Sequence, residues 1–167
     1  FPTKPPPFEY QGVTLDDLVD FTPEIRAMAV EAVAQFRLGP LFSPPMLSVD
    51  GEQQGTIQRP HVGGGASWTG AAVDPETGWL YVPSANRFSV LKYYTPDPAD
   101  GGNLRYTFRG LAAGIQPRMP QGLPLLKPPY TRMTAIDLNE CDHAWMQPNG
   151  DGNRGPVLTK TLLISAL

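Results

Sequence analysis

Few residues in this chain have types and spacings that do chemistry. His61 has no second His or carboxylate at a metal-ligand spacing, so it reads as a loop histidine. Cys141 is the one cysteine, which excludes an internal disulfide and any cysteine cluster around a metal. Residues 149–153, NGDGN, have some oxygen ligands and glycines of a calcium loop, but no glutamate closes it, and a turn is the better reading. What remains is residues 63–82, GGGASWTGAAVDPETGWLYV. Glycines there let backbone come close to something flat or bulky, and Trp68 stands just beyond them.

A hairpin must position that stretch. Asp74-Pro-Glu-Thr-Gly78 is a turn: Pro75 presets φ, Asp74 bonds its own backbone, and Gly78 tolerates φ > 0. Short strands before it and at residues 79–82 complete the hairpin. Further strands are expected at 56–58, 88–91, 104–108, 133–138, around Trp145 and over 158–167. Residues 50–51, 96–102 and 139–142 read as turns, and 110–129, rich in proline, as an irregular connection. Helices are confined to residues 14–39. Thr14-Leu-Asp-Asp17 resembles a capping box with Asp in place of Glu. Thr22 and Pro23 start a second helix, and Ile25, Met28, Ala29, Ala32, Val33 and Phe36 give it one buried stripe. Gly39 and Pro40 are expected to end it. Residues 1–10, with three consecutive prolines, read as an extended loop held to the body by Phe8 and Tyr10 rather than as a ligand for a proline-binding domain.

Composition excludes several classes. The net charge is −3 with 17% charged residues and no basic patch, so nucleic acid is not an expected partner. No apolar run approaches the ~20 residues of a membrane helix. Proline (20) and glycine (17) in 167 residues stand far above the ~12% of an average domain. With 41% hydrophobic residues and recurrent strand and turn signals, that composition suggests a loop-rich all-β domain. The chain begins at Phe1 and ends in an apolar run, and is expected to be part of a larger protein.

The hairpin recurs. Ala72-Val-Asp74 and Ala135-Ile-Asp137 each precede a polar turn and an aromatic strand, with starts 63 residues apart. Such recurrence suggests radial repetition, with each hairpin in its own propeller blade.

The second copy, AIDLNECDHAW, resembles the tryptophan-docking motif of the quinoprotein dehydrogenases, Ala-x-Asp-x-x-Thr-Gly-x-x-x-Trp. FPTKPPPFEYQGVTLDDLVDFTPE, RLGPLFSPP, GTIQRP, GGGASWTGAAVDPETGWLYVPS, QGLPLLKPPYTRMTAIDL and LTKTLL extend the likeness over nearly the whole chain, to the C-terminal part of the bacterial quinoprotein glucose dehydrogenase-like group. The resemblance implies an all-β fold: part of an eight-bladed β-propeller, two to three blades, with a helical insertion near the N-terminus. Residues 1–60 would be the proline-rich loop and insertion, and 61–167 the blade strands and loops.

The resemblance also implies function. The cofactor would be pyrroloquinoline quinone, assisted by calcium, and a sugar or alcohol would be oxidised by hydride transfer to the quinone. Electrons would pass to a quinone pool or cytochrome, at a periplasmic or outward-facing site at the inner membrane. Ser67 and Trp68 match the Asn-Trp pair beside the quinone in the family's Gly-Gly-x-Asn-Trp segment, with Ser in place of Asn. Glu140-Cys141 replaces the motif's Thr-Gly, and the sequence is shortened between Arg154 and Gly155. The catalytic base, the cation over the quinone and the calcium ligands are expected upstream of Phe1. No residue of this chain is therefore assigned as catalytic or metal-binding. Alone, the chain is expected to be inactive and to need the remainder of the propeller. The alternative is a non-catalytic propeller module for binding or assembly.

Overall fold

The structure, a computed structural model, describes residues 3–49, 51–100, 102–111, 116–150 and 154–165. Of the expected features, Asp50, Gly101, residues 112–115 of the irregular connection, residues 151–153 of the NGDGN turn, and the two residues at each end of the chain lie outside the described residues. In chain order the elements are β1 (Gly12–Val13), α1 (Pro23–Ala32), β2 (Phe36–Arg37), β3 (Gly39–Pro40), β4 (Gly55–Gln58), β5 (Ala72–Asp74), β6 (Trp79–Ala85), β7 (Ser89–Tyr94), β8 (Thr107–Leu111), β9 (Thr131–Asp137), β10 (Asp142–Pro148), β11 (Val157–Leu158) and β12 (Leu163–Ile164). Single 3₁₀ turns occur at Leu15–Asp17, Pro98–Asp100 and Pro120–Gly122. The elements form two compact units: Phe1–Tyr10 with Gly63–Arg87 and Pro128–Leu167, and Gln11–Val62 with Phe88–Lys127.

The first unit is built on one sheet of order β5-β6-β9-β10, antiparallel throughout. Both copies of the hairpin lie in it. β6 of the first pairs with β9 of the second from Trp79↔Asp137 to Ala85↔Thr131. This corrects the expectation that each hairpin belongs to its own blade. Neither hairpin has two covered edges alone, and joining them edge to edge makes one four-stranded antiparallel sheet, the strand count of a propeller blade.

The shared pattern has a packing reason. Ala72 pairs with Tyr81, Tyr81 with Ala135, and Ala135 with Trp145. Small and large residues alternate across the strands. Over Ala135 the Tyr81 and Trp145 rings meet with centroids 5.9 Å apart, and Trp79 adjoins Tyr81 at 6.3 Å. These are attractive separations for tilted aromatic pairs.

The two tips are closed by their aspartates. Asp74 accepts from the Glu76 N–H at 2.9 Å and the Thr77 hydroxyl at 2.7 Å, and Gly78 takes φ 75°. Asp137 accepts from the Asn139 N–H at 2.8 Å. The hydrogen bond from Thr77 holds the Asp74 carboxyl below the usual range, and that from Asn139 does the same for Asp137. At the second tip Cys141 adopts φ 54°, the left-handed conformation that glycine takes freely. Cys141→Gly is expected to stabilise the fold by about 1 kcal/mol, seen as a higher denaturant midpoint at unchanged slope.

The expected terminal strand over 158–167 is instead two short strands, β11 and β12, paired antiparallel. The Thr159 hydroxyl accepts from the Leu162 N–H at 3.0 Å and turns the chain between them. A side chain that bonds backbone locally competes with a continuous ladder.

The second unit holds the larger apolar core: Val13, Leu18, Val19, Ala29, Val33, Ile57, Val90, Met119, Leu125 and Leu126. Ile25, Ala32 and Phe36 pack against it, as the helical stripe predicts, whereas Met28 is 44% exposed. The Thr22 hydroxyl accepts from the Ile25 N–H at 3.2 Å, with Pro23 at the first helical position. α1 ends at Ala32, not at the expected Gly39. Phe36 enters β2, and Gly39–Pro40 pairs with Gly12–Val13. Pairing with β4 and β1 takes up the backbone that the helical pattern alone would continue. The sheet order is β2-β4-β7-β8, with β2 parallel to β4 and the other pairs antiparallel.

Thr14–Asp17 forms its bonds on a 3₁₀ turn rather than a helix. The Thr14 N–H and hydroxyl both donate to Asp17, at 2.7 and 2.9 Å. The Arg59 guanidinium, almost wholly buried, meets the same carboxylate at 2.6 Å. Burial works to raise the Asp17 carboxyl, but the Thr14 N–H and the Arg59 charge outweigh it and leave it below the usual range. The folded value therefore lies below the unfolded one, near 3.9, so this contribution is complete above about pH 5 and is lost as pH falls through the folded value. Thermal midpoints measured from neutral to acid pH are expected to fall below about pH 4, and Asp17→Asn to flatten that part of the profile.

Candidate functional site

Residues 63–70 lead into the sheet of the first unit as an irregular loop that is packed at Gly65 and open at Trp68. The Gly65 carbonyl accepts from the Ala85 N–H at 2.9 Å, at the end of β6. A Cβ on Gly65 would lie 2.5 Å from Cγ of Glu9 and 2.6 Å from its Oε2. The glycine is thus required by a close neighbour, and at this position the neighbour is Glu9. The close approach expected of the glycine run is, at Gly65, to a side chain of the same unit.

Glu9 is held in turn by Arg132, on β9. Arg132 donates to Glu9 Oε1 at 3.1 Å, and the two side chains are 2% and 6% exposed. The Tyr10 ring covers the guanidinium at 4.2 Å, within cation–π range, and the Met146 sulfur lies 3.7 Å from it. The N-terminal stretch is therefore held by Glu9 together with the expected Tyr10, and Phe8 is half-buried. The sequence carried one signal for this pair: Arg132 stands in a strand that is uncharged from Met133 to Ile136, and an arginine there is buried only with a partner.

Beyond Gly65 the loop turns back. The Gly70 N–H donates to the Ser67 carbonyl at 3.2 Å. Ser67 is half-buried and Trp68 is 95% exposed. The two site residues read from the sequence are thus adjacent at the tip of one turn. A planar cofactor can be offered two things here: an indole face with no protein over it, and one hydroxyl that donates or accepts. An aromatic face beside a hydroxyl is chemically compatible with one wall of a site for a planar quinone. A cavity of about 480 Å³ in the same unit is lined by Pro128, Pro129, Tyr130, Thr131, Pro148 and Gly150, without Ser67 or Trp68. A second, also about 480 Å³, lies in the other unit against Phe42, Arg59 and Tyr93.

Among the described residues, no group of three or more His, Cys, Asp or Glu is placed to hold a metal ion. None of their helices is long and apolar enough to cross a membrane.

No curated protein and no solved structure matches this chain. A family model does, that of the PQQ glucose/ethanol/alcohol dehydrogenase β-propeller domain, and it spans residues 1–165. Among the described residues, a mostly-sheet fold with one α-helix and a four-stranded antiparallel sheet agrees with that domain type. By a match over nearly its whole length, the chain belongs to the β-propeller family of the quinone-dependent glucose, ethanol and alcohol dehydrogenases.

Proposed function

We propose that this chain is a working part of a dehydrogenase that oxidises a sugar or an alcohol, of the glucose dehydrogenase-like group, and passes electrons to a quinone or cytochrome. The observation that carries the proposal is the family match over residues 1–165. The reaction would take place in the periplasm or on an outward-facing surface, with calcium beside the cofactor. Pyrroloquinoline quinone, when bound, supplies the two-electron acceptor. The chain's own part is binding and orientation. Trp68 offers its indole face to the planar ring system, and Ser67 offers a hydroxyl to one of its oxygens. Glu9, packed under Gly65, fixes the base of the loop from which both project.

The intact protein, supplied with pyrroloquinoline quinone and calcium, is expected to reduce an artificial dye in the presence of a sugar or primary alcohol. Absence of cofactor-dependent reduction across a panel of both would overturn the proposal. Ser67 in place of Asn and the left-handed Cys141 favour a second reading, a module that keeps the fold without the chemistry. A folded protein that neither binds the quinone nor reduces the dye would select it.

A further inference from the structure

We infer that the face of the first unit's sheet carrying Ser84, Arg132 and Thr134 contains a built hydration site, in which one or two water molecules bond these side chains and Glu9. Four polar atoms there have no hydrogen-bond partner in the protein: Ser84 Oγ, Thr134 Oγ1, Arg132 Nε and Glu9 Oε2. All four residues are deeply buried; Ser84 and Thr134 are 0% exposed, Arg132 1% and Glu9 8%. They are also neighbours. Ser84 and Arg132 are direct cross-strand partners, and Val82 pairs with Thr134 one same-face step along. Glu9 is tied to Arg132 through its other oxygen. Cross-strand partners stand about 5 Å apart at Cβ and same-face neighbours about 7 Å, distances that one or two waters bridge.

No backbone group bonds these atoms. β9 is flanked on both sides by ladders, to β6 and to β10, so its own N–H and C=O groups are already engaged. Buried polar atoms without partners are rare, and a cluster of them on one face marks an occupant. Charge decides which occupant. Glu9 repels an anion, Arg132 repels a cation, and the two balance. The open positions comprise one N–H donor, one carboxylate acceptor and two hydroxyls that do both. That set matches a neutral molecule which donates and accepts equally. Buried water makes about three such bonds and occurs about once per 27 residues, a frequency that allows more than one in a unit of this size.

The test is a crystal structure of the intact protein at a resolution that orders water. The expected result is a water peak within about 3.2 Å of Ser84 Oγ and Thr134 Oγ1, and a bond from it or a second water to Arg132 Nε or Glu9 Oε2. In Thr134→Val the peak at that position is expected to be lost while the fold is kept. Should that variant not fold, Ser84→Ala is read in the same way, and the unaltered protein decides by itself. Direct protein partners for the four atoms, or density with the coordination of an ion, would overturn the inference.

Discussion

Glu9→Gln is expected to lower the stability of the first unit by about 3–5 kcal/mol, because it leaves the Arg132 guanidinium buried without its counter-charge. Arg132 is 1% exposed and cannot turn outward to water without opening β9. The Coulombic attraction of such a pair is offset by the cost of dehydrating both ions, so the pair itself contributes little net stability. A single truncation still exposes the whole penalty on the survivor. The double variant Glu9→Gln with Arg132→Met is therefore expected to be more stable than Glu9→Gln alone. Urea unfolding of the three proteins checks this, read as the shift in midpoint at constant slope. A loss below about 1 kcal/mol in the single variant would show that the guanidinium reaches bulk solvent, contrary to the buried geometry.

Trp68→Ala is expected to weaken binding of pyrroloquinoline quinone about 10- to 100-fold and to leave folding stability within about 0.5 kcal/mol. Stacking of a planar ring on an aromatic side chain is worth about 1–3 kcal/mol by alanine substitution, and each 1.4 kcal/mol is a factor of ten. The stability half follows from exposure. An indole that is 95% exposed buries almost nothing on folding. Cofactor titration and urea unfolding of the same preparation separate the two. Equal losses in both would assign Trp68 to packing, and no loss in either would remove it from the site.

The sequence was most legible where chemistry is local. The turn at Asp74–Gly78 followed from residue types that bond their own backbone, and it formed with those bonds. The start of α1 followed likewise from Thr22 and Pro23. Partnering was less legible. The two Ala-x-Asp hairpins are equally compatible with neighbouring blades and with one sheet, because a hairpin does not encode which edge it meets. The end of α1 was misplaced for a related reason. Phe36 and Gly39 are drawn into pairing with Gly55 and Val13, and no window of local sequence contains those partners. In the candidate site, Ser67 and Trp68 came from resemblance to a motif, whereas Glu9 sits 123 residues from Arg132 and had no local signature.

We propose that this chain serves a quinone-dependent oxidoreductase. Equilibrium titration of the intact protein with pyrroloquinoline quinone in the presence of calcium, followed by quenching of tryptophan fluorescence, tests it most directly. Saturable binding is expected. A folded protein with no saturable binding of the quinone would contradict it.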